Sequence, residues 1–240
     1  IYDVQISETA PMGNNITFLV TYLGELISPV NEQLIISLGT IGMNEDFEET
    51  NGNFTASPVS NGWEWGVSTF AGAHSGTKVW GTRLNTQYPG AATYTLTTPD
   101  VYIGSNFMLE FWHKYSTEAT YDGGNVKIST NNGSTWTLLN PEGGYTDSYL
   151  TPLVGAGYSG NSNGWQLARF PLSSYANQTV MFRFTFASDN NIHGEGWFID
   201  DVRTTGYLEY AGKVSGLISS GNPGIAYSNV LVRDQGNTLA

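Results

Sequence analysis

Short alternating segments, each ended by turn residues, constrain the fold of this chain more than any other feature. In residues 180–187, a valine and three phenylalanines fall on one face of an extended segment, and the residues between them fall on the other. About ten such segments occur between residues 44 and 206, with turn signals such as Asn-Asn-Gly-Ser at 131–134 between them. No segment shows the apolar period of a three-turn helix. The pattern predicts an all-β fold, with antiparallel sheets packed as a jelly-roll β-sandwich.

The charge balance excludes two classes of partner. The 240 residues include 9 Lys and Arg against 21 Asp and Glu, which gives a formal net charge of -12. So few cations leave no basic surface for nucleic acid or for an anionic membrane, and no apolar run is long enough for membrane insertion. Cysteine is absent, so no disulfide can form. An acidic chain rich in Gly, Asn, Thr and aromatic residues is typical of bacterial β modules that are secreted or lie at the cell surface.

The strand-like runs and the linker between them divide the chain into three parts. Residues 1–43 hold three strand-like runs, which we interpret as the end of an immunoglobulin-like β module or, alternatively, as an edge of the main domain. Residues 44–206 form the predicted jelly roll. Residues 207–240 contain a linker and the start of a further small β module. The chain starts at Ile1 without Met or an apolar leader, which predicts a fragment of a longer, secreted protein.

The closing strand of the main domain, at 194–202, ends in two adjacent carboxylates. Trp197 and Ile199 share one face of this strand, Phe198 and Asp200 share the other, and the alternation returns Asp201 to the Trp197 face. Carboxylates at the end of an apolar strand need hydrogen-bond donors, solvent or a metal ion.

Five segments, in this order, resemble the jelly-roll accessory modules of secreted bacterial proteins. They are Glu-Asp-Phe-Glu at 45–48, Ala-His-Ser-Gly-Thr-Lys-Val-Trp-Gly-Thr at 73–82, Tyr-Asp-Gly-Gly-Asn-Val-Lys-Ile-Ser at 121–129, Asn-Gly-Ser-Thr-Trp at 132–136 and Gly-Trp-Phe-Ile-Asp-Asp-Val at 196–202. Such modules occur in immune-inhibitor-A-type metalloproteases and as the cleaved adhesin domains of gingipains, and the eukaryotic MAM adhesion domain shares their fold. Residues 207–240 are similar to the start of a carboxypeptidase-regulatory-like β module.

The resemblance implies an ancillary domain with a calcium ion between its first and last strands. Carried over residue by residue, the ligands are Asp46, Glu48, Asp200 and Asp201, helped by main-chain carbonyls at 75–77. Calcium takes six to eight oxygen ligands, and acids clustered at two strand ends repel one another without a cation. The residues alone leave an alternative open, in which Asp46 and Glu48 are solvated and one of the paired aspartates accepts backbone N–H bonds.

Two further acids lie in turn-like sequences. Asp122 precedes Gly-Gly and Asp189 precedes Asn-Asn, and both are predicted to bond the backbone of their own turns.

The sequence predicts no catalytic residues. His74, His113 and His193 lack any metal-ligand spacing, and His113 is predicted to be a hydrogen-bonded core or rim residue. No Gly-x-Ser-x-Gly elbow occurs, although a pair of glycosidase carboxylates has no sequence signature that would exclude it.

Aromatic residues provide the predicted binding surface. Most tryptophans are expected in the core, whereas Tyr145, Tyr149 and Tyr158 lie in a long Gly-rich excursion at 142–163 and are predicted to contact a ligand. The sequence as a whole predicts a non-catalytic, calcium-stabilised accessory or adhesion module of a secreted or cell-surface bacterial protein. It would bind protein or glycan, or position a catalytic domain. The alternatives are a glycan-active jelly-roll enzyme and a structural spacer without a ligand.

Overall fold

Strands account for almost all the regular structure of the part of the chain that the computed structural model describes. The backbone is described for residues 2–5, 15–24, 27–37, 42–104, 107–206 and 230–233, and the side chains for 42–104 and 107–206. The strands are β1 (Tyr2–Gln5), β2 (Asn15–Gly24), β3 (Ile27–Ser37), β4 (Met43–Glu45), β5 (Thr55–Ser57), β6 (Glu64–Gly66), β7 (Val79–Gly81), β8 (Thr93–Thr97), β9 (Val101–Ile103), β10 (Phe107–Ser116), β11 (Gly123–Ser129), β12 (Thr137–Leu138), β13 (Asp147–Leu150), β14 (Gly155–Gly157), β15 (Gln166–Pro171), β16 (Gln178–Ala187), β17 (Gly196–Gly206) and β18 (Val230–Arg233). One 3₁₀ helix spans Ser173–Tyr175. Within these described ranges, no helix has the length and apolar character that crossing a bilayer demands.

The chain divides into two compact units. One unit is Ile41–Tyr207, and the other combines Ile1–Thr40 with Leu208–Ala240. In the second unit β1 pairs in parallel with β18 and β2 pairs with β3. The immunoglobulin-like interpretation falls on residues 1–43, of which 2–5, 15–24, 27–37 and 42–43 are described, and the carboxypeptidase-regulatory-like interpretation falls largely on residues outside those described. Both stay predictions.

Two antiparallel sheets form the main unit, which confirms the predicted all-β sandwich. Sheet A has the order β15-β10-β17-β7-β6, with β4 also paired to β17, and sheet B has the order β12-β11-β16-β8-β5, with β9 also paired to β16. The predicted alternation holds: Phe182, Phe184 and Phe186 of β16 are all fully buried, whereas Arg183 between them is half-buried on the outer face.

Trp197 lies at the centre of the core between the sheets. Its ring is 5.6 Å from Trp63, 6.0 Å from Phe184 and 6.5 Å from Phe111, measured between centroids. Its Nε1 donates to Nδ1 of His113 at 3.2 Å. The prediction that His113 is a hydrogen-bonded core histidine is therefore confirmed.

A β-bulge in β17 changes the predicted direction of Asp201. Asp200 pairs with Trp112 and Arg203 pairs with Glu110, so two residues of β17 lie opposite one residue of β10. Asp201 takes the extra position with a φ of 47°. Its side chain does not return to the Trp197 face, which corrects the prediction from simple alternation; Val202 packs into the core instead.

The long excursion at 142–163 contains structure that its sequence did not indicate. β13 and β14 form a hairpin within it, and Leu150 and Leu153 of that hairpin pack against Ala187 on the outer face of sheet B. The hairpin therefore covers one end of that face.

Candidate functional site

The loop of residues 74–78, called the 74–78 loop below, binds acids from the two parts of the chain that begin and close the main unit. Asp200 has no exposed surface. Its Oδ2 accepts N–H bonds from His74 at 2.8 Å and Ser75 at 3.2 Å, and its Oδ1 accepts the Asp201 N–H at 2.8 Å. Burial, together with the neighbouring Asp201 charge, raises the pKa of Asp200 to about 6 even though these three N–H groups favour the charged form.

The bulge turns Asp201 toward the same loop. Its Oδ2 lies 2.5 Å from Nδ1 of His74, and its Oδ1 accepts the Ser75 hydroxyl at 2.8 Å. The His74 ring in turn stacks on Trp112, with centroids 3.9 Å apart. Both members of the adjacent aspartate pair therefore contact residues 74 and 75, although simple alternation would have separated them.

Glu48 is held by the other end of the loop. Its Oε1 accepts backbone N–H bonds from Thr77 at 2.9 Å and Lys78 at 2.7 Å, and its Oε2 accepts the Thr77 hydroxyl at 3.0 Å. The two backbone N–H groups lower the pKa of the Glu48 carboxyl. Gly76 has a φ of 58°, and a Cβ there would collide with the Glu48 carboxyl, so this arrangement requires glycine. Asp46 is exposed and accepts the Glu48 N–H at 3.1 Å.

These hydrogen bonds correspond closely to the alternative that the residues left open. Asp200 accepts backbone N–H bonds as that alternative states, and Glu48 accepts them too while it stays partly exposed. In the stretches 42–104 and 107–206, no three of the four predicted ligands place oxygens within 4.8 Å of one another. Several of their carboxylate oxygens accept only one hydrogen bond and keep a free lone pair, among them Oδ1 of Asp200 and both oxygens of Asp201. The donor set thus suits calcium chemically, and the calcium site stays a prediction.

A different trio of acids does converge in the described residues. Oxygens of Glu118, Asp122 and Asp189 lie within 4.8 Å of one another. Asp122 is fully buried and accepts the Tyr88 hydroxyl at 2.7 Å and the Asp189 N–H at 2.7 Å. It therefore ties distant segments together, which corrects the prediction of a local turn. Asp189 accepts the Asn191 N–H at 2.7 Å, so its predicted turn role is confirmed.

Two of the three predicted ligand-binding tyrosines belong to the core. Tyr158 is 7% exposed, and the Tyr145 hydroxyl donates to the Leu139 carbonyl at 2.8 Å while its ring packs 4.8 Å from that of Tyr158. Tyr158 is buried and Tyr145 is partly buried against the core, which corrects their assignment to an exposed binding surface. Tyr149 is 57% exposed, and its role as a ligand contact stays a prediction.

A polar row on the outer face of sheet B was not predicted. Lys127 of β11 lies opposite Arg183 of β16, and Arg183 lies opposite Thr97 of β8. The Arg183 guanidinium stacks on the Trp136 ring, 3.8 Å from its centroid. The available signal was a basic residue between two apolar residues in each strand, at 126–128 and at 182–184. Only the pairing of the strands shows that these two cations meet.

The family follows from the stretch that contains most of these features. Residues 76–204, more than half of the chain, match the model of Reelin subrepeat B. The chain belongs to the Reelin subrepeat B family. The match runs from the 74–78 loop through most of β17, so it includes most strands of both sheets and the Asp200–Asp201 pair.

Relatives include two bacterial proteases. Bacillopeptidase F of Bacillus subtilis (strain 168) is 31% identical over 167 residues, which are 68% of this chain and 10% of that protein. Pre-pro-metalloprotease PrtV of Vibrio cholerae serotype O1 (strain M66-2) is 34% identical over 102 residues, 42% of this chain and 10% of PrtV. The chain therefore spans about a tenth of the length of these relatives. Their similarity confirms the predicted resemblance to modules of bacterial proteases.

Solved structures also align with the sandwich. The alignment with the K1 cleaved adhesin domain of Lys-gingipain from Porphyromonas gingivalis W83 covers 70% of this chain and 99% of that domain, at 15% identity and a TM-score of 0.46. The alignment with the CBM22-1 xylan-binding domain of Paenibacillus barcinonensis Xyn10C covers 70% of this chain and 94% of that domain, at 14% identity and a TM-score of 0.43.

Proposed function

We propose that this chain is a non-catalytic accessory module of a longer bacterial protein that is secreted or displayed at the cell surface. The module binds protein or glycan, or positions a neighbouring catalytic domain. The observation that carries the proposal is the alignment of this one chain with about a tenth of each of two differently named proteases. A region shared at that scale by two such proteins is suited to an ancillary role.

The polar groups of the described residues support a structural rather than a catalytic use. His113 is 2% exposed and lies in the core, and His74 is engaged by Asp201. Glu110, 3% exposed, lies between two arginines that bind it at 2.8 and 2.9 Å. Buried as they are, neither His113 nor Glu110 gives a substrate access to a free lone pair, which a general base requires.

The test separates binding from turnover. The purified chain is screened against immobilised neutral and acidic oligosaccharides, and the same oligosaccharides and casein are incubated with it and assayed for new reducing ends or peptides. Binding without any release of product is the expected result. Hydrolysis of a glycan that stops when a strand-end or buried acid is replaced would overturn the proposal in favour of the enzyme alternative.

The second part of the proposal is that calcium bound by Asp46, Glu48, Asp200 and Asp201 joins the first and last strands. Support comes from hard oxygen donors with free lone pairs and from a buried aspartate whose pKa is raised to about 6. Among the described residues, no lysine or arginine pairs with Asp200 or Asp201. Bound calcium would supply the missing positive charge, and His74 would have to release Asp201.

Thermal unfolding with calcium and with chelator tests this part. Calcium at 100 times its Kd should add about 2.7 kcal/mol of stability, which corresponds to a rise in Tm of roughly 5–10 °C for a domain of this size. The rise should vanish in Glu48→Gln and Asp200→Asn and persist in Asp189→Asn. If the rise is lost in Asp189→Asn alone, calcium binds at Glu118, Asp122 and Asp189 instead. An unchanged Tm of the wild-type chain would exclude calcium as a stabiliser.

A further inference from the structure

The outer face of sheet B brings two cations together without a counter-charge. Lys127 and Arg183 are cross-strand partners, and both are half-buried. Like charges directly opposite each other destabilise an antiparallel pair. Across residues 42–104 and 107–206, no carboxylate forms an ion pair with either side chain. In a chain with 21 acids and only 9 Lys and Arg, this uncompensated pair is a local exception that needs a reason.

The outer face of sheet A shows the same arrangement with compensation. Arg169 and Arg203 both lie opposite Glu110 in the strand register. The buried carboxylate binds both guanidinium groups, at 2.8 and 2.9 Å. In sheet B the residue opposite Arg183 on its other side is Thr97, whose hydroxyl accepts a hydrogen bond from Nε of Arg183 at 3.2 Å. The chain therefore places an anion between cross-strand cations on one sheet and leaves that anion out on the other.

Two buried polar groups with unused hydrogen-bonding capacity adjoin the cations. Asn125 and Thr185 are cross-strand partners two residues along from Lys127 and Arg183, so they lie on the same face. They are 1% and 7% exposed. Oδ1 of Asn125 and Oγ1 of Thr185 have no hydrogen-bond partner. Nδ2 of Asn125 donates to the Ala156 carbonyl of β14 at 2.9 Å, so these two residues lie under the hairpin and the cations beside them form the part of the row that a ligand would contact.

We propose that this face binds an acidic oligosaccharide, with a sugar carboxylate between Lys127 and Arg183 and sugar hydroxyls meeting the threonine hydroxyls of the neighbouring strand β8. The inference rests on the proposed binding function and names its ligand class. A guanidinium forms a planar fork that matches a carboxylate, and stacking on Trp136 together with the bond to Thr97 holds that fork in place.

The surroundings favour a sugar over an acidic peptide. The cations lie in the middle of the sheet, where every strand already has neighbours on both sides, so a peptide has no free edge to pair with. The adjacent positions are hydroxyl-bearing: Thr95 and Thr97 line β8, and Thr55 and Ser57 line β5 on the aligned rows. Such a surface offers many partners for the hydroxyl groups of a sugar.

Calorimetry with tetragalacturonate as the probe tests the proposal, with its methyl ester as the uncharged control ligand. The wild-type chain should bind the acid at least about tenfold more tightly than the ester, and added salt should weaken binding. Lys127→Gln and Arg183→Gln should each weaken binding by about tenfold or more. Thr97→Glu should abolish binding because it supplies the missing anion beside Arg183, whereas Thr97→Gln should not. Lys114→Gln, the same charge change on sheet A, should leave affinity unchanged.

Thermal stability distinguishes a binding role of the two cations from a structural one. If the cations stabilised the fold, removing one of them would lower Tm. Lys127→Gln and Thr97→Glu should raise Tm in the absence of ligand, because each relieves the repulsion between the cations. Equal affinity for acid and ester, unaffected by the sheet B variants, would overturn the inference and leave the proposed binding function standing. Binding of a glutamate decamer but not of tetragalacturonate would overturn the assignment to a glycan. Hydrolysis of either glycan would instead count against the non-catalytic function itself.

Discussion

Acid will destabilise this protein through His113, and a His113→Phe variant will lose that part of the effect. The His113 side chain is 2% exposed and accepts a hydrogen bond from Trp197. The rings of Phe111, Tyr115 and Tyr158 surround it at centroid distances of 5.5, 5.3 and 4.4 Å. Burial among these rings lowers the pKa of His113 from 6.5 to about 3.

The sign and size of the effect follow from proton binding. The unfolded chain binds a proton at His113 below pH 6.5, whereas the folded protein does not until pH approaches 3. The stabilising contribution of neutral His113 is therefore complete above pH 6.5 and is lost as pH falls toward 3. At about 1.4 kcal/mol per pH unit, the loss reaches roughly 2 kcal/mol at pH 5 and roughly 3 kcal/mol at pH 4.

Urea unfolding of the wild-type chain and His113→Phe, followed by tryptophan fluorescence from pH 7.5 to 4, measures this loss. Phenylalanine fills a similar space and does not titrate. It leaves the Trp197 N–H without an acceptor, at a cost of about 1–3 kcal/mol that is the same at every pH. The free-energy difference between the two proteins should narrow by about 2 kcal/mol between pH 7.5 and pH 5. Parallel pH profiles would refute the reasoning, because they would mean that His113 is protonated equally in the folded and unfolded states.

Two further substitutions test the packing of the sandwich. Gly124→Ala should lower stability by roughly 3 kcal/mol or more, because a Cβ at residue 124 would overlap the Trp197 ring, with even Cδ2 only 2.9 Å away. Gly155→Ala is the control: its Cβ would meet nothing closer than 3.9 Å, and stability should change by less than about 1 kcal/mol. Asp122→Ala should lower the free energy of unfolding by about 2–5 kcal/mol, because it leaves the Tyr88 hydroxyl and the Asp189 N–H without an acceptor. Asp147→Ala removes only an exposed turn bond and should lower it by about 1 kcal/mol or less. Thermal melts by circular dichroism measure all four variants, and equal losses within either pair would contradict the packing argument.

The fold was predictable wherever local alternation decides which side chains are buried. The three phenylalanines of β16 and the Trp197 and Ile199 face of β17 are buried as the sequence indicated, because the period of two is a property of the strand itself. The direction of Asp201 was not predictable, since the bulge depends on pairing with β10. The burial of Tyr158 and the partial burial of Tyr145 depend likewise on the packing of the 142–163 excursion against distant residues such as Val126 and His113, and neither tyrosine has a local pattern that marks it as core.

For the candidate site, the sequence left two chemistries open, calcium and backbone N–H groups. The sequence identified the acids and residues 75–77 beside them, with carbonyl oxygens expected to help bind calcium. The predicted strand ended at the paired aspartates, whereas β17 continues past them to Gly206 because its later residues pair with β10 and β4. In the structure the N–H groups of the 74–78 loop face Glu48 and Asp200 instead. An N–H group stabilises a carboxylate directly, whereas a carbonyl would require a cation between them. The orientation of a few peptide groups, with Gly76 at a φ of 58° among them, therefore determines whether these acids need calcium. That orientation is set by partners 29 to 127 residues away in the chain, which is why the residues alone left both alternatives open.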